Sequence, residues 1–117
     1  MTDYEKLEVW QMSIELVTDV YKLVKFLPKE ETYALSDQIR RSAVSIPSNI
    51  AEGSSRNSKK EFIQFLYIAL GSLCELETQL LIAKNVGYID EYQTIQTKII
   101  SIKKMLNALI TSIKRGR

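Results

Sequence analysis

Pro47 stands inside a run whose apolar residues, Leu35, Ile39, Ala43, Ile46 and Ile50, keep helical spacing. A proline in a helix interior removes one backbone hydrogen bond and clashes with the turn before it, at about 3 kcal/mol. The chain must therefore break here or carry a kink. Its neighbours favour the kink. Ala43, Ser45, Ser48 and Ala51 are small enough to let another helix approach, and Ser48 and Asn49 can serve backbone groups the proline leaves free. The expectation is one helix kinked at Pro47, beginning near Glu31 to Leu35 and ended by Gly53 as a left-handed cap.

Similar spacing recurs along the chain. Leu7, Trp10, Ile14, Val17, Tyr21 and Val24 form the seam of a first helix, which Pro28 closes. A second stripe, Val9, Leu16, Val20, Leu23 and Leu27, runs beside it. Ser58 and Glu61 make a capping box at the start of a third helix. Its seam is Phe62, Leu66, Ala69, Leu73, Leu76, Leu80 and Ala83, with Ile63, Tyr67, Leu70, Cys74 and Leu81 alongside. Gly71 is expected to admit a neighbouring backbone, and Asn85-Val86-Gly87 to end this helix. Asp90 is expected to cap a fourth, with Ile95, Ile99, Ile102, Leu106, Leu109 and Ile113 facing inward.

Only 4 glycines and 2 prolines interrupt 117 residues, so connections must be few and short. The pattern predicts an all-α protein: an antiparallel, up-down-up-down four-helix bundle in a single domain over residues 1–117. The first and third helices carry more apolar width than one seam uses. That width suits either a broad core face or a subunit interface along the third helix, with Ile63, Tyr67, Leu70 and Leu81 as the contact residues. Trp10, on the first seam, reads as a core anchor whose indole nitrogen needs a partner.

Enzyme chemistry finds little to work with. The sequence has no histidine, which removes the usual proton shuttle and the commonest metal ligand. Gly53-Ser54-Ser55 lacks the spacing of a phosphate loop. Cys74, the only cysteine, lies on an apolar stripe and reads as core, with no internal disulfide possible. Glu75 and Glu77 diverge on their helix, and Glu75 is expected to form a structural ion pair with Arg40 or Arg41. No catalytic residue, cofactor, metal or small-molecule substrate is expected. The charged amino terminus is unlike a signal peptide, and the longest apolar run, Phe65–Leu70, is far short of a membrane span. The expected location is the cytoplasm, without membrane contact.

Charge is unevenly distributed behind a net +2, and residues 92–117 contain no acid at all. Two groups could meet phosphate. Arg56, Lys59 and Lys60 cluster where a helix amino end offers free N–H donors and a favourable dipole. Lys98, Lys103, Lys104, Lys114, Arg115 and Arg117 form a carboxy-terminal basic group, which could track a nucleic-acid backbone or simply complement the dipole of the fourth helix. No aromatic residues interleave them, so base stacking is unsupported. Of Arg40 and Arg41, adjacent positions point apart; one is expected in an ion pair and one solvated, with anion recognition as the alternative.

Several stretches resemble the four-helix bundle proteins encoded in intervening sequences of bacterial 23S ribosomal RNA genes. They are Leu7–Gln11, Arg40–Gly53, Lys60–Phe62, Gly71–Thr78 and Leu81–Ile89, which together span nearly the whole chain. The resemblance implies a ring-shaped homopentamer. It extends in fold to the accessory variability proteins of diversity-generating retroelements, which are strongly basic and bind nucleic acid; this chain is only weakly basic. The function expected is that of a non-enzymatic homo-oligomer binding RNA or DNA non-specifically through basic surface. The alternative is a structural or protein-interaction scaffold that binds no nucleic acid.

Overall fold

Residues 3–116 are described by the computed structural model, which contains four helices and, among those residues, no strand. They are α1 (Glu8–Val24), α2 (Leu35–Ser54), α3 (Lys59–Asn85) and α4 (Gln93–Lys114), with 3-10 turns at Tyr4–Lys6 and Lys29–Glu31. Each helix packs on two neighbours, in the ring α1–α2–α3–α4, and the diagonal pairs do not meet. Contacts run in opposite register along each pair. Ser45 meets Ser72 and Gly53 meets Phe65, while Lys103 reaches Glu77 and Lys114 reaches Tyr67. Lys98 reaches Asp19 while Leu7 lines a cavity with Ile113, and Tyr21 shares a cleft with Ser36 while Trp10 shares one with Pro47. The bundle is therefore antiparallel and up-down-up-down. It measures 46 × 24 × 20 Å.

The seams of α3 and α4 face inward as their spacing predicts. Leu66, Ala69, Leu73, Leu76, Leu80 and Ala83 are buried, as are Ile95, Ile99, Ile102, Leu106 and Ile113, but Phe62 and Leu109 are only half-buried and Ile110 takes the inward place beside Leu109. On α1 the two stripes exchange roles. Val9, Ser13, Leu16, Val20 and Val24 are buried, whereas Ile14 and Tyr21 are exposed. Ser13 fits this apolar stripe because its hydroxyl donates to the Val9 carbonyl at 2.7 Å. Trp10 is half-buried at the edge of the core, its ring edge-on to Tyr4 with centroids 5.2 Å apart.

α2 runs unbroken from Leu35 to Ser54 with Pro47 buried inside it. The Asn49 amide donates to the Ser45 carbonyl at 2.7 Å and to the Ser45 hydroxyl at 2.9 Å. That hydroxyl also shares a 2.8 Å hydrogen bond with Ser72, which ties the proline region to α3. Gly53 is not a left-handed cap. It lies within the helix, where a Cβ would stand 2.6 Å from the Cβ of Phe65 and 3.1 Å from the Phe62 ring. Its role is close approach between α2 and α3.

Gly87 and Gly116 are the left-handed glycines, and Gly87, at φ 89°, is the one that follows α3. Its N–H bonds the Lys84 carbonyl and that of Tyr88 bonds the Ala83 carbonyl, the paired arrangement that closes α3. Ser58 caps α3, accepting from the Glu61 N–H at 3.2 Å, but the return bond from the Ser58 N–H to the Glu61 carboxylate that would complete the expected box is absent among the described residues. Asp90 does not cap α4. That helix starts at Gln93 behind Tyr92, which makes no side-chain cap. Buried Ile89 and Tyr92 fix the connection by packing instead.

Gly71 meets nothing within 4 Å, so it admits no neighbour inside this bundle. Cys74 is exposed and not core, because its stripe turns outward. α3 is also long and apolar enough, by length and composition, to cross a membrane. The uninterrupted run Phe65–Leu70 understates it. In the bundle, seven of its residues are buried against the other helices.

Candidate nucleic-acid interface

Antiparallel packing brings three chain segments to one end of the bundle: the start of α1, the α2–α3 connection and the end of α4. A cavity of about 500 Å³ opens between them. Arg56, Asn57, Ser58 and Lys59 form one wall, and Leu109, Ser112 and Ile113 of α4 form another. The basic groups near residue 58 and near residue 114, far apart in sequence, thus share one end.

Their availability differs. Arg56 is held by Glu52 at 2.7 Å and lies 5.0 Å above the Phe65 ring centre. Lys103 is paired with Glu77 across α3 and α4. Lys59, Lys60, Lys104, Lys114 and Arg115 are exposed and pair with no acid among the described residues. Lys114 reaches over Tyr67, its Nζ 5.5 Å from the ring centre and 3.2 Å from the hydroxyl. Lys104 is exposed on α4, and Arg115 stands just past the helix as its C-cap residue.

The arginine pair departs from expectation. Arg41 pairs with Asp37 on its own helix at 2.8 Å, while Glu75 is exposed and pairs with neither arginine. Arg40 is half-buried rather than solvated, its Nη2 donating to the Thr32 carbonyl at 3.1 Å. Lys98 is not free for phosphate as the carboxy-terminal basic group suggests, because it bridges α4 to Asp19 of α1; Arg117 of that group lies outside the described residues. The Asp19 hydrogen bond holds the Lys98 ammonium above its ordinary pKa, against the opposing effect of burial.

The interface candidates divide. Ile63 and Leu70 are half-buried against the core, so they belong mainly to this chain's own packing. Tyr67 and Leu81 are exposed, in company with Ile68, Ile82 and Val86. On the outer side of α3 they form two apolar groups, Tyr67 with Ile68 and Leu81 with Ile82 and, just past the helix, Val86, with exposed Gly71, Cys74, Glu75 and Thr78 between them. A second apolar area lies between α1 and α2, where Trp10, Ile14, Val44 and Pro47 line a groove of about 290 Å³. Among the described residues, no three acids or cysteines stand close enough to hold a metal ion.

The model of the family described as 23S rRNA-intervening sequence protein matches residues 5–108. A solved structure from Bacteroides thetaiotaomicron, described as a protein with unknown function from the S23 ribosomal protein family, superposes with a TM-score of 0.79. The two chains are 34% identical, and the match covers 87% of this chain and 97% of that one. Comparison with curated proteins finds no match.

Proposed function

This chain belongs to the family of 23S rRNA-intervening sequence proteins, and from that premise we propose that it is a non-enzymatic homo-oligomer which binds RNA or DNA through phosphate contacts. The observation that carries this reading is the convergence of Lys59, Lys60, Lys114 and Arg115 on one end of the bundle. None of the four is neutralised by an acid among the described residues. The start of α3 adds backbone N–H groups and the positive end of a helix dipole. Contacts of this kind read charge and spacing rather than bases, so binding is weakly sequence-specific. The protein acts in the cytoplasm.

Self-association rests on the exposed apolar groups along α3. Tyr67, Ile68, Leu81, Ile82 and Val86 are each about half exposed, and exposed apolar patches of this kind mark contact surfaces. A ring needs two different faces per subunit that fit each other. The groove of Trp10, Ile14, Val44 and Pro47 supplies the second face. A pentamer is the assembly the family resemblance implies.

A salt titration tests the nucleic-acid reading. Affinity for a duplex or single strand should fall linearly on a log–log scale as salt rises. Lys59→Gln with Lys60→Gln should lower both the affinity and that slope. No detectable binding at low salt would leave the scaffold alternative. Light scattering tests the assembly, and a monomer at micromolar concentration would remove the α3 interface.

A further inference from the structure

At the opposite end of the bundle, the last turns of α1 face the first turns of α2 across a cleft of about 460 Å³. Three cations line it: Lys25, Lys29 and Arg40. No carboxylate does. The acids nearest in sequence are turned to other work or lie outside. Glu31 accepts from the Tyr88 hydroxyl and from the Leu35 N–H, Asp37 is paired with Arg41, and exposed Glu30 is not part of the lining.

Ser36 supplies an independent observation. It is only 3% exposed and lines the cleft, yet its hydroxyl makes no hydrogen bond among the described residues. Among the described residues the buried side-chain polar atom left without a partner is Gln79 Oε1, so the Ser36 hydroxyl keeps some accessible surface, and the cleft is the open space that Ser36 lines. The N–H groups of Ser36 and Asp37, in the first turn of α2, likewise have no backbone acceptor among the described residues. Arg40 lies one turn beyond Ser36 on the same face. Its Nη2 bond to the Thr32 carbonyl fixes the guanidinium while leaving its other donors unclaimed. Tyr21, 44% exposed and one turn before Lys25, stands at the mouth as an aromatic wall.

We propose that this cleft binds the phosphoryl group of a small phosphate monoester about the size of a nucleoside monophosphate. Arg40 grips two phosphoryl oxygens through its planar fork, the geometry that guanidinium matches best. Lys25 and Lys29 balance the remaining charge, and the Ser36 hydroxyl and first-turn N–H groups complete the shell. The organic part rests against Tyr21. A cleft of this volume lies within the range of small-molecule sites, roughly 300–1,000 Å³. The site is separate from the proposed nucleic-acid interface, which occupies the other end.

The test is calorimetry on the full chain at constant ionic strength, with inorganic phosphate, adenosine monophosphate, adenosine and a short oligonucleotide as probes. Amide NMR on the same samples reports the position. Expected are saturable binding of phosphate, tighter binding of adenosine monophosphate, none of adenosine, and shifts at Ser36 and Asp37. Arg40→Lys should weaken adenosine monophosphate by about tenfold through loss of the fork. Ser36→Ala and Lys29→Gln should each weaken it severalfold with unchanged helical content. Lys59→Gln should leave it unaffected. No saturable shift at α2, equal loss in Lys59→Gln, or displacement of the mononucleotide by the oligonucleotide would each overturn the assignment.

Discussion

Gly53 and Phe65 meet where the end of α2 lies against the start of α3, so closely that a Cβ on Gly53 would stand 2.6 Å from the Cβ of Phe65. The atom it would strike is the base of a side chain, and it cannot swing away without moving α3. The contact sets the spacing at the end of the bundle that carries Arg56 and Lys59.

Gly53→Ala therefore pits two effects against each other. Alanine favours the helix by about 0.5–1 kcal/mol over glycine. Forcing a methyl group into a packed contact costs about 1–3 kcal/mol. The clash, at 2.6 Å against a Cβ that cannot swing away, prevails, and denaturant unfolding should show a net loss of up to about 2 kcal/mol. A neutral or stabilised variant would show that α2 and α3 are not held this close.

Gly71→Ala is the opposite case. Nothing lies within 4 Å of the position, so the monomer should gain about 0.5–1 kcal/mol from helix propensity alone. Gly71 also lies exposed beside Tyr67 and Ile68. If that face is a subunit interface, the same variant should weaken assembly while raising the melting temperature of the monomer. Light scattering beside thermal unfolding separates the two outcomes.

Pro47→Ala restores an N–H to the middle of α2 and a donor for the carbonyl one turn before it. The helix should straighten, and Val44 and Pro47 would no longer present the same groove to a neighbour. A crystal structure of the variant and its oligomeric state check this. An unchanged helix axis together with unchanged assembly would show that the proline bends nothing and shapes no contact.

Tyr88 and Glu31 join the α3–α4 connection to the start of α2 at 2.8 Å. The hydrogen bond to Glu31, with some desolvation and the charge of the carboxylate, raises the Tyr88 pKa above its ordinary value. A raised folded-state pKa means that the stabilisation is complete below the unfolded pKa, about 10 for tyrosine, and is lost as pH rises through the folded value. An ultraviolet phenolate titration should find one tyrosine ionising above the ordinary tyrosine value of about 10. In Glu31→Gln that late step should move back toward the ordinary value. A titration identical to wild type would mean that the contact does not form.

Much of the architecture could be read from local spacing. The seams of α3 and α4, the Ser58 cap and the ending at Asn85-Val86-Gly87 all follow from residues a few positions apart. The inward face of α1 did not, because Ser13 interrupts the stripe that is buried. Its hydroxyl is satisfied by the Val9 carbonyl, so a polar residue occupies a core position at little penalty. Asp90 failed as a cap for a related reason: packing of Ile89 and Tyr92 sets where α4 begins.

The sites were less legible. Arg56, Lys59, Lys114 and Arg115 could each be named as cations, but not as neighbours. Lys103 reads as equally available in the sequence, but Glu77 pairs with it across α3 and α4. Lys25, Lys29 and Ser36 carried no local signal, since their importance depends on α1 facing α2 across a cleft free of acids.

By itself, then, the sequence determined four amphipathic helices, their order, most of their ends and membership of a family. Helical periodicity and capping are interactions within one or two turns, so they are written in consecutive residues. Only the tertiary structure decided which stripe of α1 is buried, why residue 53 must be glycine, which charges neutralise one another and which ends share a basic surface. Those outcomes depend on contacts between residues tens of positions apart. Their partners are chosen by how the helices pack, and no local pattern encodes them.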